Sequence, residues 1–303
     1  MPFTASQILT GMVLPAALLG IIGLLVWRPW KRDAVKDFRW IFGPLTAGAF
    51  GIAYWTFEPK PGWPPIGNVV YLLFYFALVA GILSLADAIL KPPLWLRAGV
   101  LLLAWRLAVR LLLASQVPRN ISETSAELWI DFLSAAVLTW WLTFENFAER
   151  APGVTTPLLL AAVAGVSMIL LLMDLHIQSS GALAGGLTGL SIAAAVLGFC
   201  NSRIAFSRGL AQTVVLILLL VLVHGYFYTD DDLTPGREIR AGILLATPLL
   251  AFSGDLAPVR RLRPPLRLAV RAIPVVLALA FVAVWAAREY ARADQAAPAM
   301  QDE

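Results

Sequence analysis

Ten apolar stretches, each near the roughly 20 residues a helix needs to cross a hydrocarbon core of about 30 Å, follow one another along this 303-residue chain. They cover approximately 8–27, 40–57, 68–90, 94–116, 127–148, 154–175, 180–200, 209–229, 240–257 and 267–287. A backbone in contact with lipid must satisfy its own hydrogen bonds, which leaves helices or a closed barrel. Barrel strands alternate in polarity, whereas these stretches are apolar on all sides, so the expected class is an all-α, polytopic transmembrane bundle. Composition agrees: 59% of residues are hydrophobic and 14% charged, against about half and a quarter in soluble domains. That is too little polar surface to cover a water-soluble globule.

Basic residues orient the bundle. With the N-terminus outside, the cytoplasmic loops collect Arg28, Lys31, Arg32, Lys36 and Arg39, then Lys91, Arg97, Arg150, Arg203 and Arg208, and finally Arg260, Arg261, Arg263, Arg267 and Arg271. The external side holds Lys60, Arg119, Arg237, Arg240, Arg288 and Arg292, a bias that satisfies the positive-inside rule. The two largest basic clusters share a side only if an even number of crossings separates them. Ten crossings meet that condition, eight would also meet it, and in both cases the two termini are external. Stretches 40–57 and 240–257 are the weakest of the ten. Most tryptophans, among them Trp27, Trp95, Trp129, Trp140, Trp141 and Trp285, fall near stretch ends as an interfacial belt, with Trp105 the exception.

The connecting loops are too short for an attached soluble domain, so residues 1–303 read as one integral membrane domain. No basic residue precedes the first stretch and no small-residue cleavage site follows it, which speaks against a removable signal peptide. Arginine outnumbers lysine 19 to 4, a coding bias that points to a bacterium and so to a cytoplasmic (inner) membrane. The net charge of +4 resides in short loops between apolar runs, a pattern that fits a bilayer surface and excludes a nucleic-acid-binding stripe. Clusters such as Arg260-Arg261-Leu262-Arg263 would contact anionic lipid. The single cysteine, Cys200, rules out an internal disulfide and a cysteine-built zinc site.

Gly181, Gly185 and Gly189 recur every fourth residue, the spacing that lets two helix backbones approach closely. A second glycine-rich segment, Gly43-Pro44-Leu45-Thr46-Ala47-Gly48, occupies the equivalent position if the chain divides into halves 1–150 and 151–290. Five crossings per half would make the halves inverted repeats, as in some transporters.

The ionisable residues at membrane depth carry the functional reading. Arg106 and Arg110 are four residues apart and so share one helix face. Inserting both costs roughly 5–7 kcal/mol, which nine leucines in the same stretch nearly offset at about 0.5 kcal/mol each. Insertion is therefore tolerated, but the guanidinium groups should face the bundle interior and meet an anion. Sorted by depth, Asp131, Asp174, His176 and His224 share the outer half of the membrane with Arg110. They form a candidate anion or proton site, or a structural Arg110–Asp131 ion pair with interfacial histidines. Asp87, Arg97, Glu145 and Asp255 lie toward the inner face, with Asp87 and Arg97 the expected ion pair.

Other features are weaker. Asp230-Asp231-Asp232 lacks the ligand spacing of a cation loop, and Asn120-Ile121-Ser122 matches a glycosylation triplet. No phosphate-binding, zinc-protease, serine-elbow or dinucleotide motif occurs, and no metal or cofactor is expected. Three readings follow. One is a transporter-like bundle with an outer-half site for an anionic solute or lipid head group. Another is a non-catalytic accessory or structural subunit with a membrane protein partner. The third is a membrane-embedded transferase acting on lipid-linked substrates, with His176 or His224 as proton acceptor.

Overall fold

The computed structural model describes residues 4–27, 39–57, 69–117, 121–150, 153–175, 177–200, 206, 209–229 and 236–296. Helices dominate, and no strand occurs among the described residues. In chain order they are α1 (Ala5–Ile8), α2 (Leu14–Trp27), α3 (Arg39–Phe57), α4 (Tyr71–Leu90), α5 (Leu94–Leu113) and α6 (Glu123–Arg150). There follow α7 (Thr155–Ile169), α8 (Gln178–Cys200), α9 (Leu210–Phe227), α10 (Arg237–Leu250), α11 (Ala257–Arg260) and α12 (Pro264–Ala296). A π-helical segment, Leu9–Val13, joins α1 to α2, a second, Leu170–Asp174, extends α7, and a 3-10 segment, Ala251–Asp255, follows α10.

Each of the ten apolar stretches coincides with a helix, and among the described residues six rods are long and apolar enough to cross a membrane. These six run over Ser6–Val26, Tyr71–Leu90, Thr155–Asp174, Gln178–Cys200, Leu210–Phe227 and Ala269–Arg292, compatible with a multi-pass membrane protein. The other four differ for visible reasons. α3 is less apolar, α5 contains three arginines, α6 carries carboxylates along its first turns, and α10 is 14 residues long.

α9 is the axis of the bundle. Its sequence is apolar around the full circumference from Val214 to Val223, and such a helix is stable only when covered on all sides. α3, α4, α5, α6, α7 and α8 all pack against it. α2 lies outside α3 and α8, while α10 and α12 pack on each other and cover α6, α7 and the second π segment.

The close approaches are glycine-dependent. Gly189 faces the Met12 carbonyl and Ala16, Gly185 faces the Met12 and Met168 side chains, and Gly181 faces Leu172. The α8 stripe thus seats the first π segment on one side and the second on the other. At the far end Gly198 meets the backbone of Gly153, where an added Cβ would lie 2.7 Å from the carbonyl carbon. Gly236, before α10, needs its glycine twice over: φ is 78°, and a Cβ would lie 2.8 Å from the Trp285 ring.

Two tryptophan assignments need correction. Trp140 and Trp141 are buried inside the bundle, not placed in an interfacial belt. α6 continues to Arg150, so both sit well inside the helix. The Trp140 indole N–H donates to the Leu245 carbonyl at 2.7 Å and ties α6 to α10.

Candidate functional site

Three groups of charged side chains organise the bundle. The first lies on α5 and α6, near the turn that connects them. Successive exposed positions on α5 (Leu103, Arg106, Leu107, Arg110) and on α6 (Glu127, Leu128, Asp131, Phe132) have helical spacing and form two adjacent stripes. Arg106 Nη1 donates to Asp131 Oδ1 at 2.6 Å, and Glu127 Oε2 lies 4.0 Å from Arg106 Nη2. Arg110 pairs with Glu127. The expected interior orientation of Arg106 and Arg110 is overturned, since their side chains are 44% and 65% exposed on the outside of the bundle. Trp105, Val109 and Leu112 on the opposite α5 face make the packing contacts instead. The expected Arg110–Asp131 pair is replaced by two pairs, because Asp131 lies one turn further from the connection and so opposite Arg106. Glu127 carries a sequence signal of its own: it precedes Asp131 by four residues on the same face.

Beside these pairs, an open cleft of about 550 Å³ separates the end of α5 from the start of α6. Arg110, Glu123, Thr124 and Glu127 line it, with Leu113 and Ile130 at its floor.

The second group is buried at the same end of the bundle. Asp174 closes the second π segment, and Arg240 sits one turn into α10. Arg240 donates from Nε to Oδ2 at 2.8 Å and from Nη2 to Oδ1 at 2.5 Å, with both side chains fully buried. The guanidinium carbon lies 4.9 Å from the centre of the Trp285 ring on α12. Asp174 therefore joins α7 to α10 and does not meet Arg110, a partner offered by equality of depth alone. His224 is also buried within the bundle, in the last turn of α9. Its Nδ1 shares a hydrogen bond with Ser180 Oγ at 2.8 Å, and its ring stacks on Tyr228 at 4.8 Å. Tyr228 in turn donates to the Leu112 carbonyl at 2.6 Å, which fastens the end of α9 to α5. His176 lies outside the described residues, as do Asn120 and Asp230-Asp231-Asp232.

The third group occupies the opposite end, at the α4–α5 turn. Arg97 Nη2 lies 2.6 Å from Asp87 Oδ2 and also pairs with Glu145, and its guanidinium sits 5.0 Å from the centre of the Trp141 ring. Asp87 and Arg97 do meet, as members of a buried cluster that also includes Glu145. Three helices, α4, α5 and α6, are joined there. The side chain of Asp255 lies outside the described residues.

Chemically, the two buried groups are built to hold helices together. Among the described residues no set of three or more His, Cys, Asp or Glu side chains is arranged to hold a metal ion. The chain matches no family model, no curated protein and no solved structure.

Proposed function

We propose that this chain is a structural subunit of a membrane assembly, inserted ten times in a bacterial cytoplasmic membrane with both termini outside, and that it self-associates through the exposed α5–α6 face. One observation supports this above all others: the Arg106–Asp131 pair sits on the outer surface of the bundle. Arg106 precedes the end of α5 by seven residues, a depth of about 10 Å. Aspartate is too short to reach far toward water, and ionised groups at such depth normally face protein or a water-filled cavity. The flanking Leu103, Leu107, Leu128 and Phe132 are exposed with them, so the face is apolar around a charged centre.

A second copy fits this pattern. A twofold axis along the membrane normal sets α5 of one protomer beside α6 of its partner at equal depth. Arginines then meet carboxylates across the contact in both directions. Cross-linking tests this. In a Cys200→Ala background, Leu107→Cys should give a covalent dimer in native membranes, whereas Leu277→Cys on exposed α12 should not. Cross-linking from α12 alone, or capture of a different protein by α5, would overturn self-association through this face.

A transporter-like reading retains one supporting observation, the cleft beside Arg110, which is open and polar enough to receive an anionic solute or lipid head group. Against it stands the axis of the bundle, where α9 is apolar and buried from Val214 to Val223. Phosphate should then raise the unfolding temperature of the wild type more than that of Arg110→Ala; identical responses remove this reading. A transferase role for His224 has less support, since its Nδ1 faces Ser180 rather than a carboxylate.

A further inference from the structure

An apolar cavity of about 140 Å³ lies between α6, α9 and α10, near the end that carries His224 and Arg240. Trp129, Phe132, Leu222, Tyr226 and Leu245 are among its walls, and Glu238 and Gly242 line it from α10. A dry, apolar cavity close to this size holds a six-carbon ring, so the space suits hydrocarbon and not water. Beside it lies a cation with unused donors. Arg237 is 7% exposed, yet its Nε and Nη1 are buried without a hydrogen-bond partner. Its guanidinium carbon sits 4.6 Å from the centre of the Tyr226 ring, the same ring that walls the cavity. Leaving buried guanidinium donors unmatched costs several kcal/mol, a cost that an oxyanion would remove.

We infer that this is a binding site for an amphiphile: an acyl chain enters the cavity and its oxyanion head group is received by Arg237. The cavity and the two unpartnered guanidinium nitrogens share the Tyr226 ring, with Arg237 itself standing outside the cavity lining. Trp129 packs edge-on against Phe227 at 5.3 Å and tilts against Tyr226 at 5.7 Å, forming an aromatic collar of the type found at membrane interfaces. Glu238 is exposed at the rim, so a head group that pairs its oxyanion with an ammonium should bind better than one that is anionic throughout.

Neither α5 nor Arg106 contributes to the site, although Phe132 borders both the cavity and the self-association face proposed above. Full-length protein, stripped of lipid in detergent, would be titrated with dioleoyl phosphatidylethanolamine, dioleoyl phosphatidylglycerol, oleate and dioleoylglycerol, with bound stoichiometry read by native mass spectrometry. One tightly held equivalent of an oxyanion-bearing lipid is expected, with the phosphatidylethanolamine favoured; a preference for oleate would identify a free fatty acid as the source. Arg237→Gln should weaken binding at least tenfold. Gly242→Phe, at a position where an added Cβ meets nothing within 4 Å, should fill the cavity and abolish binding while the protein stays folded. Dioleoylglycerol binding as well as the charged lipids, or unchanged binding in Gly242→Phe, would overturn the assignment. Should Arg237→Gln not fold, the Gly242→Phe and dioleoylglycerol arms decide alone.

Discussion

Arg240 and Asp174 face each other through two hydrogen bonds, of 2.8 and 2.5 Å, with no solvent access to either side chain. Sixty-six positions separate them in sequence, and their contact joins the end of α7 to the start of α10. A buried pair of this kind contributes little net stability but makes each partner dependent on the other. Asp174→Asn or Arg240→Met alone should cost about 3–5 kcal/mol in detergent unfolding experiments, since each removes one side of a buried ion pair. The double variant Asp174→Asn/Arg240→Met should lose markedly less than the sum. Additive losses would show that the two side chains act separately.

Arg97 holds two carboxylates, from Asp87 and Glu145. Removing the cation should therefore do more harm than neutralising one anion. Arg97→Met is expected to lower stability by at least about 3 kcal/mol, and Glu145→Gln by clearly less, measured by thermal unfolding at neutral pH. A reversed order would mean that Asp87 and Glu145 are held by other groups.

Gly198 and Gly48 offer a contrast within one residue type. An alanine at 198 places its Cβ 2.7 Å from backbone atoms of Gly153, so α8 must move; about 1–3 kcal/mol should be lost. At 48, an exposed position of α3, an added Cβ meets nothing within 4 Å, and alanine should be neutral or stabilising by up to about 1 kcal/mol. Expression level and unfolding temperature of the two variants check both statements.

Lys91 ends α4 in the left-handed region, at φ 49°, where a side chain is strained. Lys91→Gly should relieve that strain and raise stability by up to about 1 kcal/mol. A lower unfolding temperature would indicate that the lysine side chain contributes more than the strain costs.

Tyr228→Phe removes the hydroxyl that donates to the Leu112 carbonyl and adjoins Ser115. The loss should be about 1 kcal/mol, with faster amide exchange confined to the last turn of α9. Exchange that rises evenly through α9 would place the effect elsewhere.

Much of the architecture was legible residue by residue. Each apolar stretch marks a helix because run length and all-round hydrophobicity are properties of a single segment. The central position of α9 is likewise implicit in its apolar run from Val214 to Val223. The candidate site was less legible. Residue type and spacing single out Arg106, Arg110 and Asp131 but not the outward direction they take, and depth alone does not tell that Asp174 meets Arg240 rather than Arg110. Arg237 reads in the sequence only as a charge on the external side.

The order of lengths and polarities along the chain, then, determined an all-helical bundle rich in membrane-length rods, for burial and backbone hydrogen bonding act within each segment. Tertiary structure decided which charges meet: Arg97 with Asp87 and Glu145, Arg240 with Asp174, and Arg106 with Asp131 on an outward face. Pairing depends on the rotation of each helix about its axis and on which neighbour it packs against, and those are settled by contacts among helices distant in sequence.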